Sequence, residues 1–197
     1  TFSMPSCDEL FNELLIRLKT IDRYNIMGGE PIYYLVFPVE QMLEMKRSLK
    51  VLVSRLMLDG WSPSVLSLAE VVNAIFRSDP DRQILLESEK AYLEDGDFAA
   101  INESLRSILL GTGADKVTAR ILKELESLQE KKGSILIIAD VEALHPYLRI
   151  GAIEQRLQGR CPVPVVIFYP GNRTGNSTLQ FLGIWPEDGN YRSTHIG

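Results

Sequence analysis

The chain has 197 residues, 45% of them hydrophobic and 24% charged, a composition that suits one domain with a sizeable core. Its formal net charge of −5 and pI near 5.2 argue against a broad surface for nucleic acid or anionic lipid. Nor does any apolar run approach the roughly 20 residues that a membrane span needs.

In chain order, Leu10, Leu14, Leu18 and Ile21 predict an amphipathic helix over 6–21, with Asp8 and Glu9 at the positive end of its dipole. A loop holding Gly28 and Gly29 covers 25–31. Residues 32–37 (IYYLVF) are aromatic and β-branched and lie between Pro31 and Pro38, which marks a strand. Pro38 suits the first position of a following helix. In that helix Met42, Met45, Leu49, Leu52 and Leu56 share one face, Glu44, Lys46, Arg47 and Lys50 occupy the others, and Asp59-Gly60 ends it. A second short strand at 64–68 completes a βαβ unit, whose strands are expected to be parallel.

From about 69 to 132 the pattern is helical without strands. Val71, Val72, Ile75 and Phe76 begin it, and Asp79-Pro80 breaks it. A segment over 84–93 has charged outer positions; Asp97 then caps a helix with a stripe of Phe98, Ile101, Leu105 and Ile108. Val117, Ile121, Leu125 and Leu128 mark the last helix. A single crossover helix would be shorter, so this stretch reads as a crossover enlarged by a helical insertion, inside one domain spanning 1–197. Residues 135–139 (ILIIA) form the continuous apolar run of a strand covered on both faces. A helix over 146–158 turns Tyr147, Ile150, Ile153 and Leu157 inward, and 163–169 is another buried strand. Residues 179–182 and 191–196 are expected to be antiparallel edge strands. The predicted fold is a three-layer α/β sandwich: a mostly parallel, Rossmann-like or degenerate P-loop-like sheet with a helical insertion.

In such sheets ligands bind beyond the carboxyl ends of the strands. That rule selects residues 38–40, 69–70, 140–145 and 170–176. Asp140 with Glu142 after the apolar run resembles a Walker B strand that would hold Mg²⁺, or else Asp140 simply caps the next helix. The matching phosphate loop is missing: the first strand runs into Phe37-Pro38-Val39-Glu40, without glycine or lysine, and Pro38 lacks a donor. His145 is near enough to the two acids to join a metal site or to serve only in the turn before Pro146. Neither a G-x-S-x-G elbow nor a cysteine at a carboxyl end offers a nucleophile. Tyr169 leads into the loop with Gly171, Arg173 and Gly175. There the glycines allow close backbone approach, and Arg173 can grip a phosphate or carboxylate unless the loop is only a polar hairpin. Asn190, Tyr191 and Arg192 are candidates for the same end. Cys7 and Cys161 have no metal-ligand spacing and fit reduced thiols. The opening residues also lack the pattern of a signal peptide, so a cytoplasmic protein without catalytic set, metal or cofactor is expected.

The run PVPVVIFYPGNRTGNSTLQFLG with the later GNYR resembles the BrxB family of BREX bacteriophage-defence systems, as do EALHPYLRIGAIEQRLQGRCPVP and the SLAEVV segment. The resemblance spans nearly the whole chain and is tightest from Asp140 onward. It implies a place beside an alkaline-phosphatase-like protein (PglZ), a large ATPase (BrxC) and an adenine methyltransferase (PglX). Within such a complex it implies a non-catalytic adaptor or assembly component, with PglZ the first partner to expect. A degenerate nucleotide- or phosphate-binding module, and a subunit touching DNA through the complex, remain the alternatives.

Overall fold

The computed structural model describes residues 4–21, 31–113, 115–174, 178–184, 188–189 and 193–197; Gly175, Asn190, Tyr191 and Arg192 lie outside them. The apolar runs form strands β1 (Ile32–Phe37), β2 (Ser62–Ser67), β3 (Ser134–Ala139), β4 (Val165–Thr174), β5 (Thr178–Phe181), β6 (Asp188–Gly189) and β7 (Thr194–Ile196). Five of them make a parallel sheet in the order β2-β3-β4-β1-β7, and β5 and β6 extend the far end of β4 as antiparallel strands. The Rossmann order would set β1 beside β2. Here β1 lies between β4 and β7, and β4 separates β1 from β3.

Two helical layers cover the sheet. On one face pack α1 (Cys7–Lys19) and α2 (Met42–Leu58), joined through Leu10, Leu14, Leu18, Met45, Leu52 and Leu56 to Leu35, Phe37, Ile137 and Phe168 of the strands. The other face takes α3 (Leu68–Ser78), α6 (Lys116–Leu128) and α7 (Ile150–Leu157), whose Val72, Ile121, Leu125 and Ile153 meet Tyr34, Ile138 and Ile167. Alternate strand residues thus serve opposite cores, and β3 is buried at every position, as its unbroken apolar run requires. The crossover from β1 to β2 uses one face and those from β2 to β3 to β4 use the other. That division follows from right-handed connections running in opposite directions along the sheet.

Between β2 and β3 stand α3, α4 (Arg82–Asp95), α5 (Phe98–Leu110) and α6. Asp97 caps α5 by accepting from the Ala100 amide at 3.0 Å. Only Leu109 of α5 is buried, whereas Phe98 of the predicted stripe is exposed. The reason is position: α5 packs mainly against the helices α3, α4 and α6 rather than against the sheet, so its apolar stripe is only partly covered.

Four other expectations need correction. Pro38 does not open α2; it precedes a 3-10 turn at Val39–Gln41, and α2 begins at Met42. The helix expected from 146 starts at Ile150. A 3-10 turn at Val141–Leu144 and the bonds of the Tyr147 and Leu148 amides to the Leu144 carbonyl occupy the chain before it. β4 continues through Arg173 because its second half leaves the parallel sheet to pair with β5. The last strand, β7, is an edge strand as expected but parallel to β1, since the excursion through β5 and β6 returns the chain to the sheet's starting side.

Candidate functional site

The carboxyl ends of β1 to β4 lie along one border of the sheet, with Ser67 opposite Ala139 and Phe37 opposite Pro170. Four of the residue groups selected from sequence therefore start from the same side of the molecule. Between them is a cleft of about 180 Å³ lined by Phe37, Lys46, Leu49, Ala139, Asp140, Glu142 and Phe168. A larger one, about 430 Å³, opens at the amino ends, by Trp61 and Ser134. Charged groups converge in the smaller cleft, which makes it the better candidate.

Asp140 follows β3 in the left-handed region, at φ 60°, an uncommon conformation for a residue with a side chain. Its carboxylate does not cap the following turn. Instead it accepts a hydrogen bond from Ser67 Oγ at 2.5 Å and pairs with Lys46 Nζ at 2.8 Å. Lys46 also bonds Glu142, so one ammonium bridges both acids. Burial alone would raise the Asp140 pKa; the bonds from Lys46 and Ser67 overcome it and hold the carboxyl below its ordinary value. Burial likewise works against the Lys46 charge, but its two carboxylate partners raise its pKa on balance.

Sequence reasoning placed Lys46 only on a polar face of α2 and missed its role. The signal available was topological: α2 starts at the carboxyl end of β1, so its first turns overhang the neighbouring strand ends. Ser67 was more legible. It begins the S-x-x-E pattern with Glu70 and caps α3, accepting from the Glu70 amide at 3.3 Å.

His145 does not join this cluster; its ring packs 6.2 Å from that of Phe181, and burial and then Arg149 lower its pKa. Among the described residues no three His, Cys, Asp or Glu side chains gather as a metal-binding group. Tyr169 is buried, 5.5 Å from the Tyr34 ring and 5.4 Å from Phe181. Gly171 sits where a Cβ would collide with the Gln180 carbonyl oxygen, so its close approach is to the hairpin itself. From the next outward position Arg173 Nη1 donates to the carbonyls of His195 and Gly197, at 3.5 and 3.4 Å, tying the hairpin to β7. The candidate loop is thus a hairpin, with its tip outside the described residues.

Two of the buried polar groups meet Tyr34. Glu154 of α7 accepts from the Tyr34 hydroxyl at 2.9 Å, and His195 stands edge-on to the Tyr34 ring at 5.5 Å. Burial, followed by the Arg173 charge, pushes the His195 pKa down to about 4. Cys7 and Cys161 are not in disulfides, and the Cys7 thiol is raised by burial and Glu44, which keeps it protonated rather than nucleophilic.

A family model described as "BREX protein BrxB" matches residues 64–196. No curated protein and no solved structure matches the chain. The match covers the insertion, β3, the acidic strand end and the hairpin, and the chain belongs to the BrxB family of BREX proteins.

Proposed function

We propose that this BrxB-family chain is a non-catalytic adaptor or assembly component of a BREX anti-phage defence complex. Its direct partner is the alkaline-phosphatase-like PglZ, with BrxC and PglX reached through the assembly and DNA contacted only by the complex as a whole. The protein acts in the cytoplasm and needs no cofactor of its own. One observation carries this reading beyond the family: Lys46 bridges Asp140 and Glu142 in the cleft where a ligand of this fold would sit. A phosphate entering there must separate the lysine from both partners and then face two carboxylates in a partly buried setting. Such a rearrangement disfavours an anion and leaves the surface, rather than the cleft, to do the work.

Capture of the tagged chain from cells expressing the full defence locus tests the proposal. PglZ should be recovered at near-stoichiometric yield, and failure to recover any BREX protein would sink the adaptor role. The unusual backbone of Asp140 favours a second reading, a nucleotide- or phosphate-binding regulatory module. ATP with Mg²⁺ that raised the melting temperature, with the gain lost in Asp140→Asn, would replace the first reading with the second.

A further inference from the structure

We infer that α4 is a docking helix for a protein partner whose contacting surface is basic around an apolar centre; this rests on the adaptor reading and specifies its contact. The other α-helices each bury at least one apolar side chain in a core. α4 has no buried residue along its 14 positions. Ile84, Leu86 and Leu93 are exposed on it, and Phe98 is exposed just past its end, beyond the left-handed Gly96 that terminates it. It rests mainly on α5, which itself buries only Leu109. A helix of this length is marginal in isolation, and the apolar residues left exposed on it, Leu86 and Leu93 on one flank and Ile84 on the other, serve nothing inside this chain.

Charge identifies the occupant. Residues 79–97 hold seven acids and two bases, a net of −5, equal to that of the whole chain. The remaining residues balance, so the acidic character of the protein is concentrated around these exposed apolar side chains. Nucleic acid and anionic lipid are repelled by such a surface. A second copy meeting it through the same face would also be repelled. The outer side of α2 mixes Leu43, Met57 and Leu58 with cations, but Lys46 is held by Asp140 and Glu142, and Arg55 by Asp8. That leaves Arg47 and Lys50 against an excess of five acids, or four once Asp79 is paired with Lys116. A different protein, with Lys and Arg surrounding an apolar patch, fits better.

The test uses the full chain co-expressed with the other proteins of its locus. One variant reverses charge (Glu87→Lys, Glu94→Lys, Asp95→Lys), and a second removes apolar contact (Leu86→Ser, Leu93→Ser). Glu130→Lys, beside the cleft at the amino ends of the strands, serves as control. Circular dichroism and melting confirm that each folds. Both α4 variants should lower recovery of the partner by about tenfold or more, while the control leaves it unchanged. Raising salt from about 0.1 M to about 0.5 M should weaken the wild-type complex in the same way. A benzophenone amino acid at position 86 should cross-link to a Lys- and Arg-rich segment of a BREX protein. If wild type retrieves its partner and both α4 variants do so equally, the docking helix is refuted and the adaptor reading stands. Cross-links to a second copy or to nucleic acid also refute it. If wild type retrieves no BREX protein, both readings fall together.

Discussion

Lowering the pH from 7 to 5 should cost the protein about 2 kcal/mol of stability through His195 alone. The imidazole is buried in β7, edge-on to Tyr34, with Ser193 Oγ 3.5 Å from Nε2 and the Arg173 guanidinium donating to the backbone carbonyl of His195 itself. Its folded pKa is about 4, against roughly 6.5 in an unfolded chain. Between those values the unfolded state takes up a proton that the folded state refuses, so stability falls as pH drops through 6.5 and the loss saturates below about 4. Integrated from pH 7 to 5, the difference is roughly one and a half pKa units at 1.36 kcal/mol each. The lowered pKa of His145 acts in the same direction. Paired carboxylates such as Asp140 and Glu124 lose their contribution mainly at lower pH. Urea unfolding at pH 7 and pH 5 reads the effect, and His195→Asn separates it from the rest. The variant should lose about 2 kcal/mol less than wild type over this interval, whatever its stability at pH 7. Equal losses in the two proteins, or an imidazole that titrates near 6.5 by NMR in the folded state, would show that the burial argument is wrong.

Three further changes probe other parts of the fold. Lys46→Met should destabilise by about 1 kcal/mol, since the bridge is partly solvent-screened, and should raise the Asp140 pKa by leaving burial uncompensated. The folded Asp140 pKa lies below its unfolded value, so its stabilisation is lost as pH falls through the folded pKa; denaturation below pH 4 should accordingly flatten in this variant. Gly171→Ala drives a Cβ against the Gln180 carbonyl and should lower stability by about 2 kcal/mol, or roughly 5 °C in Tm, whereas Gly113→Ala, with open space around it, should change little. Asp115→Ala removes the acceptor for the Thr118 amide at 2.6 Å and the Thr118 hydroxyl at 2.7 Å, and leaves Arg156 without that partner. Thermal unfolding should report about 2 kcal/mol lost, because the cap and a buried acceptor go together.

Much of the fold was legible because apolar runs and punctuation carry it. IYYLVF between two prolines became β1 at the same six residues, and ILIIA marked a strand covered on both faces. Helix stripes were read well where the apolar face lies in the core beneath the sheet, as in α6, with Val117, Ile121, Leu125 and Leu128 all buried. They were read poorly in α5, where periodicity reveals an apolar face but not whether anything lies above it. The direction of β7 was missed because a strand of three residues carries no record of which neighbour it joins. The cleft shows the same limit. Asp140 and Glu142 stood out at a strand end, but their cation comes from a helix 94 residues before Asp140, and only the crossover geometry brings Lys46 there. Glu154 and His195 looked like ordinary polar positions; their burial depends on which way α7 and β7 face.

The distribution of charge links the two regions of the molecule. Around the sheet, ionic groups meet partners from distant segments: Lys46 with Asp140 and Glu142, Arg156 with Asp115, Arg55 with Asp8. Such pairs fix how elements pack and leave little unbalanced charge at the strand ends. The excess appears instead on and around the outermost helix, where acids outnumber bases and apolar side chains lie exposed. A ligand at the cleft would have to break existing ion pairs before making its own. A partner at α4 displaces only water and gains both apolar burial and electrostatic attraction at the same place. The difference in starting cost is the physical reason to look for recognition on the insertion before looking for it at the strand ends.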